Sequence, residues 1–163
     1  MPPLLSLYRR FADFAAGAVS EGIALFVARV ALAQVFWASG RTKVAEGTFL
    51  EVSETTQYLF AEEYSGVPLP PELAAHMALY AETFLPVLLV LGLFTRLSAL
   101  GLLGMTAVIQ IFVYPEAWTV HILWAALALV LISRGSGILG LDRAFAGVTG
   151  QTACDSSDPA ART

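Results

Sequence analysis

Two side chains charged at neutral pH stand inside mainly apolar runs of this sequence: Arg29 within residues 22–39 and Glu82 within residues 73–94. An ionised side chain in hydrocarbon costs about 2.5–3.5 kcal/mol on insertion scales, so each needs a partner or a water-filled cavity. A guanidinium has a long stem and a planar fork that fits a carboxylate, and the two residues are therefore expected to meet as a buried ion pair. Such a pair acts either as a staple that fixes the register of two helices or as a binding and proton-handling group. A second set is softer in signal. Trp37, His76, Gln110 and His121 fall in the outer halves of their helices, and Tyr80 shares a face with His76. These five are the candidate lining of one pocket, with Arg29 and Glu82 at its floor. The competing reading makes Trp37, Tyr114 and Trp118 an interfacial aromatic belt and has each histidine bond a neighbouring helix. No metal site is expected, since the two histidines and Glu82 lack i, i+3 or i, i+4 ligand spacing. Cys154 is the only cysteine, which excludes an internal dithiol relay. No phosphate-cradling or nucleophile-elbow pattern is present on a strand.

The elements that carry these residues follow from composition. Of 163 residues, 57% are hydrophobic and only 13% charged, with net charge −4 and mean hydropathy +0.71. Too few ionic side chains exist to cover a water-facing surface, and there is no basic patch for nucleic acid. Four runs approach the length needed to cross roughly 30 Å of hydrocarbon at about 1.5 Å per residue: 22–39, 73–94, 97–113 and 118–133. The last two are short, about 24–26 Å at helical rise. Two- to four-residue connections make the second, third and fourth runs antiparallel neighbours. The long link 40–72 carries a mixed stretch, 49–64, expected to be one amphipathic helix on the membrane surface before the Pro68, Pro70, Pro71 break. The fold expected is all-α, a bundle of four transmembrane helices with a short amphipathic surface helix between spans 1 and 2. Residues 1–146 form the membrane domain and 147–163 a disordered cytoplasmic tail.

Steps of 100° place Arg29, Ala33, Phe36, Gly40 and Lys43 on one stripe, which should face the bundle. On the second span His76, Tyr80 and Thr83 share a face, and Glu82 lies off it with Leu79 and Pro86. Pro86 should kink that helix and free a carbonyl near Glu82, while Gly92, Gly101 and Gly104 read as close-packing positions. With both termini cytoplasmic, Arg9, Arg10, Arg96, Arg134 and Arg143 lie inside and only Arg41 and Lys43 outside. Asp13, Glu21 and Arg29 interrupt the first apolar stretch, so it is read as an uncleaved helix and not as a signal peptide.

Taken in order, these pieces resemble the DoxX family of four-helix bacterial membrane proteins. The likeness is carried by Arg29 with Ser39-Gly40-Arg41-Thr42-Lys43, by Glu82 leading into Leu91-Gly92-Leu93-Phe94-Thr95-Arg96, and by the closing Gly135-Ser136-Gly137-Ile138-Leu139-Gly140-Leu141-Asp142. Ser136 departs from the Gly-Pro-Gly type of turn usual there. The resemblance implies a multi-pass protein of the bacterial inner membrane, with Arg29, Gly40, Lys43, Glu82, Gly92, Arg96 and Asp142 as family architecture or functional groups. It also implies kinship with subunits of a thiosulfate:quinone oxidoreductase or with membrane partners of thiol and oxidative-stress enzymes. The functional expectation is a membrane subunit of a redox assembly that binds a quinone or similar small apolar molecule between its helices. No intrinsic cofactor is expected, and a redox enzyme subunit, the lipid bilayer and further copies of the chain are the expected partners. The alternatives are a non-catalytic anchor for a partner protein and, ranked last, a small-molecule or metal-ion carrier.

Overall fold

Hydrocarbon offers the backbone no hydrogen bonds, so a spanning segment must satisfy its own polar groups, and here it does so as helix. The computed structural model describes residues 3–143, in which the helices are α1 (Pro3–Ala15), α2 (Ala18–Thr42), α3 (Glu54–Glu62), α4 (Pro71–Leu91), α5 (Thr95–Val108) and α6 (Trp118–Arg134). The expected tail 147–163, with Cys154 and the boundary at 146, lies outside the described residues. Helix α5 runs on through a π turn, Ile109–Val113, in which the Tyr114 N–H donates to the Ile109 carbonyl five residues back. A short 3-10 turn, Pro115–Ala117, leads into α6. With these turns four helical segments are long and apolar enough to cross a membrane: Ala18–Thr42, Pro71–Leu91, Thr95–Val113 and Pro115–Arg134. The protein is a multi-pass membrane protein. The two spans that read as short from sequence reach 19 and 20 residues, because both turns extend them to about 28–30 Å.

Helix α1 is an element the sequence reading did not assign. Its arginines and Asp13 share one side, while Leu7, Tyr8, Phe11 and Phe14 are exposed on the other, the pattern of a helix lying in a membrane interface. The long link also differs from expectation. Instead of one helix over 49–64, residues 44–52 close a small antiparallel turn, with Val44 bridged to Val52, the Ala45 N–H donating to Glu51 O and the Ser53 N–H to Lys43 O. That pairing uses the Glu51 carbonyl and the Ser53 N–H and leaves the Ser53 hydroxyl to cap a nine-residue α3, accepting from the Thr56 N–H. Phe60 of α3 then packs on Ala74 and Ala75 of α4.

The bundle pairs α2 with α4, α4 with α5, α5 with α6 and α6 back with α2. Leu32, Phe36, Leu89, Leu102 and Leu131 fill its centre, and the large apolar side chains left exposed on the helices face lipid. Between lipid-bathed helices apolar burial supplies little force, so small residues that permit close approach carry the contact. A Cβ at Gly40 would stand 3.0–3.2 Å from the Cβ, carbonyl carbon and oxygen of Glu82, and one at Gly101 would stand 2.8 Å from Leu85 Cδ1. Pro86 has no N–H to take the Glu82 carbonyl, and Gly40 lies against that freed oxygen. Gly104 is a correction: nothing lies within 4 Å of its Cβ position, so it is not a close-packing site.

Helix α4 ends at Gly92 in the left-handed conformation (φ 67°). Phe94, also left-handed, offers no side-chain cap to α5. Asp142 supplies it from 48 residues away, Oδ1 accepting from the Phe94 N–H (2.7 Å) and Oδ2 from the Thr95 N–H (2.9 Å). Its own N–H donates to Gly92 O. Asp142→Ala should therefore lower stability by about 1–2 kcal/mol, read as a fall in the thermal midpoint of helicity in detergent. Asp142→Asn, which keeps one carbonyl acceptor, should lose about half as much.

Candidate functional site

The stripe on α2 is buried along its length: Arg29, Ala33, Phe36, Gly40 and Lys43 all face the bundle. Its register against α4 decides who meets whom. Arg29 lies beside Leu89 and Val90, and Gly40 beside Glu82. Eleven residues of helix, about 16 Å of rise, therefore separate Arg29 from the level of Glu82. The expected Arg29–Glu82 pair does not form, because no arginine stem covers that distance. Glu82 instead pairs with Lys43, Nζ to Oε2 2.7 Å, with the two side chains 11% and 3% exposed. Side chains on a helix lean toward its N-terminus, so Lys43 folds back one turn and also donates to Ser39 Oγ (2.9 Å) and Ser39 O (3.3 Å). The stripe had already put Lys43 on the buried face; only its partner was missed.

Arg29, fully buried, finds carbonyls in place of a carboxylate. It donates from Nη1 to Leu89 O and Val90 O and from Nη2 to Leu139 O, and Phe26 lies against its guanidinium. The last carbonyls of α4 have no partners within their own helix and carry the negative end of its dipole, which suits a cation.

Above Phe36 the helices enclose a cavity of about 420 Å³. Its walls are mainly apolar: Val35 and Phe36 from α2, Met77, Ala78 and Ala81 from α4, Met105 and Val108 from α5, and Trp124 from α6. Three polar groups reach it. One is the Ser39, Lys43 and Glu82 cluster. The second is a pair of hydroxyls, Tyr64 and Tyr114, 3.0 Å apart, and the third is His121. Tyr64 lies in the loop between α3 and α4. Burial, reinforced by the bond to Tyr114, pushes its hydroxyl above the ordinary value near 10. The neutral hydroxyl is the form the fold favours, so this contact contributes fully below that ordinary value and is lost only as pH rises beyond it.

Of the five expected pocket residues, only His121 lines this cavity. Gln110 stands behind it. Its amide nitrogen donates to Pro115 O (2.7 Å), which turns its oxygen toward His121 Nδ1 at 2.8 Å. A carbonyl oxygen can only accept, so Nδ1 carries the proton and neutral His121 keeps its lone pair on Nε2. Trp37 is a stacking platform: Arg41 lies 4.7 Å over its ring and 4.8 Å over Phe49 while donating to Thr83 Oγ1 and Phe49 O. His76 and Tyr80 are corrections too. They lie about 100–160° round α4 from Ala78 and Ala81, in a row with Phe84, and His76 Nδ1 bonds Glu72 O within its own helix. Sequence reasoning missed Tyr64, Tyr114 as its hydroxyl partner, and Trp124 as the ring against His121 at 4.9 Å. The i, i+3 spacing of His121 and Trp124 was the one available signal for the last.

A family model described as DoxX matches residues 24–115. Over 133 residues the chain is 26% identical to a protein of Haemophilus influenzae named only as uncharacterized, a match covering 76% of this chain and 84% of that protein. No solved structure matches.

Removing either partner of the Lys43–Glu82 pair leaves a buried charge alone. Glu82→Leu and Lys43→Met should each destabilise by about 3–5 kcal/mol, and the double variant should recover most of that loss. Unfolding of all three in detergent, compared as a double-mutant cycle, measures the coupling.

Proposed function

The chain belongs to the DoxX family, and on that premise we propose that it is the membrane subunit of a redox assembly, binding a quinone or a similar small, largely apolar molecule in this cavity. The observation that carries the reading is the cavity itself: apolar walls of ligand size with a few polar groups converging on them. A quinone needs a flat apolar slot and hydrogen-bond donors for its two carbonyls. Phe36 and Trp124, 5.6 Å apart and edge to face, form one aromatic wall of the cavity against which such a ring can lie. In the Tyr64–Tyr114 bond one hydroxyl donates and the other keeps its own O–H for a ligand. Lys43 spends its three donors on Glu82 and Ser39, so it sets the field and does not bind directly.

Both redox forms of such a ligand find partners: the free tyrosine O–H donates to a quinone carbonyl, and His121 Nε2, which carries the lone pair when Nδ1–H is bonded to Gln110, accepts from a quinol O–H. Arg96, whose guanidinium reaches Ser133 O, lies with Arg134 at one end of the bundle and Lys43 with Arg41 at the other. This distribution supports an inner-membrane topology with both termini cytoplasmic and the cavity in the outer half. As a plain anchor the protein would need Arg29 and Asp142 but no cavity.

Purified protein in vesicles should quench its tryptophan emission on titration with ubiquinone. His121→Leu and Tyr64→Phe should each weaken that binding by about 5–10-fold, with the thermal midpoint lowered by no more than a few degrees. Absence of saturable quenching in the parent protein removes this reading in favour of the anchor.

A further inference from the structure

Helices α4 and α5 leave their shared turn in contact, with Gly101 tight against Leu85. Three residues further along α5 the contact is gone. Gly104 lines the cavity, is exposed, and has no heavy atom within 4 Å of its Cβ position. The facing positions on α4 are the small Ala78 and Ala81. Past them the wall consists of Met77, 53% exposed, and Val108, 40% exposed. These residues fall inside the spans Pro71–Leu91 and Thr95–Val113, so what they are exposed to is lipid. The end of the cavity nearest the membrane surface is covered instead. Tyr64 is tied to Tyr114 there, and Gly66 lies against Phe112 O, 3.1 Å from its Cβ position.

We propose that the gap between α4 and α5, bounded by Ala81 and Gly104, is a lateral portal: a membrane-dissolved molecule with a long apolar tail passes its head through it into the cavity and leaves the tail among the lipid chains. This rests on the cavity being a binding site and adds the class of ligand and its route. A roofed, laterally open chamber favours a ligand that partitions into the bilayer over one arriving from water. The glycine is the controlling position, because a side chain there fills open space in the doorway and displaces nothing.

The test uses the full chain in phospholipid vesicles with Trp37→Phe and Trp118→Phe, which leaves Trp124 as the one emitter of the three tryptophans. Two probes are titrated: a ubiquinone with a long isoprenoid tail, and its tail-less dimethoxy-methyl-benzoquinone head. Gly104→Leu should weaken the long-tailed quinone roughly tenfold and leave the tail-less head within about twofold. Ala81→Leu on the opposite side should repeat the pattern. Unchanged affinity for the long-tailed quinone in both variants overturns the portal, as does equal loss of both probes, which would place the obstruction in the chamber. Quenching of Trp124 by neither probe in the parent overturns the binding reading itself, and the portal with it.

Discussion

The buried pair of Lys43 and Glu82 is the constraint on which the rest of this bundle depends. Neither charge can be left alone among apolar side chains, and each is held by a helix that would otherwise be free to slide on the other. Gly40 completes the lock. It lets α2 come against the very carbonyl of Glu82 that Pro86 has released from its helical bond. An ion pair and a backbone contact at the same level thus hold α2 and α4 in one register.

The opposite end is closed by different chemistry. Arg29 bonds the last carbonyls of α4 and the backbone at Leu139, while Asp142 caps α5 and bonds the Gly92 turn. The segment after α6 is thereby stitched across the junction of three helices. Gly92 admits this crowding because it carries no Cβ: one there would run into Arg29 Nη1 and the Cα of Gly140. The bundle is clamped at this end by polar bonds and at the other by the ion pair. Between them the small residues Ala78, Ala81 and Gly104 leave a space that apolar side chains do not fill.

That combination suits a membrane protein that binds something. Closely packed ends keep the helices in place, so an unfilled volume between them does not cost the fold its register. The polar groups around the volume are each tied to a second residue, Lys43 to Ser39, His121 to Gln110 and Tyr64 to Tyr114. They are therefore oriented before any ligand arrives.

Four spanning helices, the antiparallel order of the last three, the buried stripe from Arg29 to Lys43 and the burial of Glu82 were all legible in the residues alone. Rise per residue, helical period and the penalty on charge in hydrocarbon are local properties that one segment expresses by itself. The partner of Glu82 was not legible, nor was the failure of Trp37, His76 and Tyr80 to share a chamber with His121. Those outcomes turn on how far one helix is shifted along another. The shift is set by Gly40 meeting Glu82, by Lys43 reaching the same residue and by the turn at residues 44–52 that follows Lys43. All are relations between distant segments that no periodicity within a single helix encodes.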